Sequence, residues 1–444
     1  MQQWQPNGVS LKCGIFPPPH AADLRFGAWI YGAAGLSLYH VQNQLRDMGL
    51  GITDTAMSTG PQEDVVRLRV EANEGAVLQM RIDGQVASME GLEGQFVAGK
   101  MIAYRIVNQD MTIRGYIQAL VLPNNALTQV DVSQCPQLRT LDLEKNPIEE
   151  INLSHNPLLE KINLDRCNLN TLDVSQCPAL QHLSCGKNQL QSLDVSQCPE
   201  LRKLECQGNQ LQNLDVSQCP ALQELECAWN QLQKMDMSHC SELRELYCYE
   251  NWLQSLDVSH CSELRWLWCE NNQLQGLDVS HCPKLRELEC ENNQLQSLNI
   301  SGCPALQKLW CENNQLQSLD MSQCPELREL YCYENSLQSL DVSHCPELLV
   351  LECNGNQLRG LDVSQCPALQ ELYCYENSLQ HLDVSGCPEL QRLSCVMNPL
   401  GDSAMIALVE SLPMNHKRSG RHIFMDDRIP AAKSWAQLKG WKVY

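Results

Sequence analysis

Between residues 118 and 400 the apolar positions return every 21 residues, and the stretch from Leu180 to Glu200 serves as the type unit. Its apolar set is Leu180, Leu183, Cys185, Leu190, Leu193, Val195 and Cys198, separated by polar residues and closed by Pro199. Leu183 and Cys185 lie two apart with Ser184 between them, the alternation of a strand with one buried face. Leu193-Asp194-Val195-Ser196 alternates in the same way. The return path from Gln189 to Pro199 is short for a helix, so an extended or 3-10 return is predicted. A fixed period of this length means a stack of equal coils sharing one narrow core. Placing the turn asparagine at Asn125, Asn146, Asn188 and onward to Asn398, with Cys167 in the third place, gives 14 coils.

The flanks follow other rhythms. Val66-Arg67-Leu68-Arg69-Val70 and Val77 to Ile82 alternate, and Met101 to Val107 is rich in β formers, with glycines at 75, 84, 91, 94 and 99 as punctuation. A β-rich module over 61–117 is therefore expected to cover the open end of the first coil. Residues 1–60 carry the rigid Pro17-Pro18-Pro19 break and no clear pattern. After Pro399, Ser403 to Leu412 reads as a short amphipathic helix, Arg421 to Phe424 as a strand and Ala431 to Leu438 as a second helix. Together they form a C-terminal cap over 401–444, and the solenoid takes 118–400.

Each position of the unit makes a column down the stack. The first eleven positions, Leu-x-x-Leu-x-Cys-x-x-Asn-x-Leu, match the leucine-rich repeat pattern, whose asparagine position also accepts cysteine. The asparagines are expected to bond the backbone of neighbouring turns. Twenty-three of the 25 cysteines fall in two columns, leaving Cys13 and Cys167. Thiols pointing the same way into a core read as small buried hydrophobes, neither disulfides nor metal ligands. The aspartate column (Asp173, Asp194, Asp215, Asp236) reads as turn stabilisation. His239, His260, His281 and His344 each precede a core cysteine and therefore face solvent.

The columns with functional character are aromatic and acidic. On the outward positions of the predicted concave sheet stand Tyr247, Trp268, Trp310, Tyr331 and Tyr373, followed two residues later by Tyr249, Tyr333 and Tyr375. Trp229 and Trp266 occupy neighbouring columns, and Glu289 and Glu352 stand among the rings. An exposed cluster of tyrosine and tryptophan with polar surroundings is what protein and glycan interfaces select. These twelve residues are the predicted ligand-binding face.

Composition narrows the function without naming it. The net charge is −21, from 53 acidic and 32 basic residues, which opposes binding to nucleic acid or anionic membranes. The basic group Lys417, Arg418 and Arg421 is too short to reverse this. No transmembrane stretch is present, and Phe26 to Val41 does not read as a signal peptide. Zinc-protease, phosphate-loop and nucleophile-elbow motifs are absent, so no catalytic residue, cofactor or metal is expected.

The 21-residue unit Leu-x-x-Leu-x-Cys-x-x-Asn-x-Leu-x-x-Leu-Asp-Val-Ser resembles the cysteine-ladder repeats of bacterial internalin-J-like proteins. The segments Ala404 to Pro413 and Lys439-Gly440-Trp441-Lys442-Val443 are similar to the tail of leucine-rich surface proteins of anaerobic bacteria. The resemblance implies a β-rich leucine-rich-repeat solenoid with a parallel concave sheet, a β N-terminal cap and a small α/β C-terminal cap. It also implies a non-enzymatic, secreted or cell-surface protein that binds a protein or glycoprotein. An intracellular scaffold or effector using the solenoid as a targeting arm is the alternative.

Overall fold

A computed structural model describes residues 63–414, 420–425 and 430–444, together with the backbone of two short strands, Gln3–Trp4 and Leu11–Lys12. Those two pair antiparallel within a separate N-terminal unit of residues 1–62. The Pro17–Pro19 break, Cys13, Lys417 and Arg418 lie outside the described residues.

The second unit, Glu63–Tyr444, holds the solenoid. Ala119–Val121, the end of the long strand Asp110–Val121, pairs in parallel with Thr140–Asp142. One three-residue strand per coil then continues the sheet to Arg392–Ser394. The register follows the repeat, so Leu183 stands beside Leu204 and Ser184 beside Glu205. This stacks like residues in columns. Leu180, Leu183, Cys185, Leu190, Val195 and Cys198 are fully buried and Leu193 nearly so, as the alternation predicts. In the first three coils Leu122, Leu143 and Leu164 fill the place of Cys185 and are also buried.

The return path is extended and then bends through two successive turns. The Cys198 N–H donates to the Val195 carbonyl at 2.9 Å, and the Leu201 N–H to the Cys198 carbonyl at 3.1 Å. No 3-10 helix occurs among the described residues. The convex segments pair with each other as short strands at Asn213–Asp215 with Lys234–Asp236 and Gly276–Asp278 with Ser297–Asn299, and as a single parallel bridge at Asp341 with Asp362. Asp194 steadies its turn by accepting the Ser196 N–H at 2.9 Å. That bond, with a second from the serine side chain, holds its carboxyl below the usual range. His239, His260, His281 and His344 are exposed.

Polar ladders satisfy the buried backbone between coils. Asn209 donates to the carbonyls of Cys185 and Cys206, both at 3.0 Å, and accepts the Leu190 N–H at 2.9 Å. The second cysteine column does related work more weakly: Cys240 Sγ donates to the Val216 carbonyl at 3.5 Å, and Cys303 Sγ to that of Val279 at 3.2 Å. Every cysteine among the described residues is buried and free. Burial pushes the thiols of Cys240 and Cys282 up to about 12.

Caps close both ends. Asp64–Val70 lies antiparallel between Asp110–Val121 and Leu127–Gln134, and Val77–Glu90 pairs with Asp110–Val121 and Ile102–Ile106. Val66, Leu68, Met80, Ile82, Ile113 and Ile117 form the apolar layer that runs into the first coil. At the other end His422–Phe424 adds in parallel to Arg392–Ser394, and Lys442–Val443 follows it. The helices Asp402–Ser411 and Pro430–Leu438 complete the cap. Trp441 is buried there, its indole N–H donating to the Pro413 carbonyl at 3.0 Å.

Candidate binding face on the concave sheet

The strand pattern that buries Leu246, Leu267 and Leu309 turns their neighbours outward. Stacking then brings the aromatic residues of successive coils into contact. Tyr247 meets Trp268 edge-on with centroids 4.8 Å apart, and Tyr249 reaches the same indole at 6.4 Å. Trp229 packs edge-on against Tyr249 at 5.1 Å. A second group, Trp310 and Tyr331, meets perpendicular at 5.6 Å. Such pairs each contribute about 0.5–1.5 kcal/mol beyond burial. The hydroxyls of Tyr247 and Tyr373 donate to Glu245 and Glu371, at 2.8 and 3.0 Å. Trp266 occupies the column before the core leucine, in register with Glu245 and Glu287. Glu352 stands between Tyr331 and Tyr373, and Tyr375 lies half-buried beyond.

The rings are less available than the sequence predicts. Ring contacts across the coil spacing help to cover Tyr247, Trp268, Trp310 and Tyr331. All the rings of the face but Trp229 are half-buried, and the indole nitrogens of Trp268 and Trp310 are sealed without a hydrogen-bond partner. Trp229 is the exception at 49% exposure. Its backbone is left-handed (φ 51°), as is that of Asn271, Asn292 and Asn313 in the same column. Trp252, 46% exposed, is a further surface indole that sequence reasoning passed over. The signal was present, since Gln189, Gln210, Gln231 and Gln273 hold that column elsewhere.

The acidic residues form a compact figure between the two aromatic groups. Glu289 stands in register between Trp268 and Trp310. One column over, Glu270, Glu291 and Glu312 follow in consecutive coils, framed by Tyr249 before and Tyr333 after. Tyr333 donates its hydroxyl to Glu312 at 3.3 Å. Carboxylate oxygens of Glu270, Glu289 and Glu291 lie within 4.8 Å of one another. Glu270, Glu289 and Glu312 are 9, 7 and 8% exposed. Desolvation, reinforced by neighbouring carboxylates, lifts Glu270 and Glu312 to about 7 and Glu289 to about 8. Nearer the N-terminal end the same face is neutralised, for Lys203 pairs with Glu205 at 2.9 Å and Glu224 at 2.6 Å.

A repeat-family model described as leucine-rich repeats in two copies matches residues 262–302 and 304–344. The solenoid is built of leucine-rich repeats and carries a cysteine ladder. Among solved structures, this solenoid is similar to the functional domain of InlJ from Listeria monocytogenes, described as including a cysteine ladder. The two are 28% identical over 72% of this chain and 77% of that one, with a TM-score of 0.55. A leucine-rich-repeat protein of Leptospira interrogans shares the fold at 22% identity, 63% and 84% coverage and a TM-score of 0.52. A plant peptide hormone receptor, RGFR1, solved in complex with RGF2, shares it at 20% identity, 70% and 59% coverage and a TM-score of 0.53. No curated protein sequence matches the chain. A groove of about 990 Å³ opens in this leucine-rich-repeat unit where Arg67 and Arg69 face Asp131 and Asp173. Arg67 is already paired with Asp131 at 3.0 Å there, whereas on the concave face Glu270, Glu291 and Glu312 each hold a buried oxygen without a partner. No helix among the described residues is long and apolar enough to cross a membrane.

Proposed function

We propose that the protein is a non-enzymatic binding module, cell-surface or secreted, that holds a protein or glycoprotein ligand on the aromatic and acidic concave face between Trp229 and Tyr375. The carrying observation is Trp229. A tryptophan in left-handed backbone with half its surface exposed serves stability poorly, because glycine or asparagine fits that conformation at less cost. Strain and exposure together mark a side chain kept for contact with something else. Around it, Tyr249, Trp268, Trp310 and Tyr331 supply rigid rings with little rotamer entropy to lose, the residue types on which interface energy concentrates. The InlJ likeness supports the surface setting, and the complex of RGFR1 with RGF2 is an instance of the same fold engaging a polypeptide.

The test is a surface-protein and glycan array probed with the unaltered chain and with a variant carrying Trp268→Ser, Trp310→Ser and Tyr331→Ser. Loss of the captured ligands, with the far-ultraviolet circular dichroism unchanged, is the expected result. Undiminished binding by the folded triple variant would remove the concave face as the site.

A further inference from the structure

We propose that Glu270, Glu289 and Glu291, with Glu312 beside them, form a binding site for a calcium-sized divalent cation at the centre of the concave face. No metal is expected from the thiol, histidine or aspartate columns of the sequence. The glutamate carboxylates are different, because the coil stacking brings them together from two columns and three neighbouring coils.

Geometry gives the first argument. Three carboxylate oxygens, one from each residue, lie within 4.8 Å of one another. A cage of protein carboxylates suits calcium better than magnesium, which dehydrates reluctantly and usually keeps several of its waters. Oxygen-only donors also suit a hard cation and disfavour zinc or copper.

Unmet bonding gives the second, and it extends beyond the cluster itself. Glu312 is more than nine-tenths buried, and its Oε2 has no hydrogen-bond partner. Glu270 and Glu291 each leave Oε2 buried and unpartnered as well. Among the described residues no lysine or arginine forms an ion pair with any of the four; Lys308 reaches only Glu287, at 3.8 Å. Buried carboxylates are costly without a counter-charge. Lys203 provides that charge for Glu205 and Glu224, and in the centre a bound cation does so. Trp268 and Trp310 flank Glu289 in register on either side, and Tyr333 donates its hydroxyl to Glu312.

The experiment uses the full chain at pH 8.5 with calcium chloride in isothermal titration calorimetry and terbium chloride in luminescence excited through tryptophan. One calcium per chain is expected, with terbium emission sensitised by the adjacent indoles and quenched by added calcium. Magnesium binds at least tenfold more weakly. Glu291→Gln lowers calcium affinity at least tenfold, and Trp268→Phe with Trp310→Phe removes the sensitised emission while calcium still binds. Absence of calcium heat up to 10 mM, or binding unaffected by both Glu291→Gln and Glu289→Gln, overturns the site. Should those variants fail to fold, an identical melting temperature of the unaltered chain in 5 mM calcium and in chelator overturns it equally. None of these readouts depends on a ligand for the aromatic face, so the two proposals fail separately.

Discussion

Asn156 donates its side-chain amide to the carbonyl of Cys135, one coil earlier, at 2.9 Å, and to that of Val132 at the same distance. It stands in the second cysteine column, where Cys240 and Cys303 donate a thiol to the equivalent valine carbonyl. Cys167 makes the reverse exchange: it stands in the asparagine column and donates Sγ to the Leu143 carbonyl at 3.4 Å. The two ladders thus perform one task, satisfying carbonyls between coils, with donors of different strength. Replacing Cys167→Asn is expected to stabilise the protein by about 1 kcal/mol, since an amide bond is stronger than a thiol one. Asn209→Ala removes three bonds to buried backbone groups and is expected to cost about 3 kcal/mol. Urea midpoints of the two variants against the unaltered chain check both, and an unchanged midpoint for Asn209→Ala would remove the ladder as a source of stability.

The ladder thiols are chemically silent while the coils are stacked. Burial holds Cys198 at about 11 and Cys219, Cys261 and Cys345 at about 12, so almost no thiolate exists at neutral pH. Native protein is expected to leave the ladder thiols unreacted with a disulfide reagent over minutes, and protein unfolded in guanidinium to react fully. Mass spectrometry after alkylation without reductant gives the same information. A majority of disulfide-linked cysteines would contradict a packing role.

Much of this was legible from side-chain order alone. Leu183 and Cys185 reveal the inward face and Ser184 the outward one, because a strand has a period of two and a solenoid repeats it in every coil. The same logic gave the solvent-facing histidines and the turn-stabilising Asp194. Ring exposure was not legible. Tyr247 and Trp268 occupy outward positions, but whether they cover one another depends on the coil spacing and the rotamers, and neither is written in the column. The four central glutamates illustrate a further limit. Glu289 belongs to one column and Glu270, Glu291 and Glu312 to another, and only the packed sheet shows that the two columns converge.

That convergence makes stability fall with rising pH. Glu289 holds its proton up to about 8 in the folded chain, against an ordinary value of 4.5. The folded state therefore binds the proton more tightly than the unfolded one. Below pH 4.5 both states are protonated and nothing is lost; between pH 4.5 and 8 folding progressively forgoes that advantage. In calcium-free buffer, Glu289→Gln is expected to stabilise the protein by about 1–3 kcal/mol at pH 8.5 and to be nearly neutral at pH 4.5. Urea titrations at the two pH values check this, and an equal effect at both would mean that the charge is not the cause.

Trp229 separates the requirements of folding from those of binding. Its left-handed backbone costs on the order of 1 kcal/mol for a bulky side chain, while its edge-on contact with Tyr249 at 5.1 Å returns about 0.5–1.5 kcal/mol. These nearly cancel, so Trp229→Asn is expected to leave the urea midpoint within about 1 kcal/mol of the unaltered chain. Glu250 has the same backbone (φ 54°) and no ring to lose, so Glu250→Asn is expected to gain about 0.5–1 kcal/mol. Ligands captured by the unaltered chain should bind Trp229→Asn at least tenfold more weakly, the loss of one aromatic anchor. Full affinity in the Trp229→Asn protein would show that its exposed indole is not part of the contact, and would move the interface toward Trp310 and Tyr331.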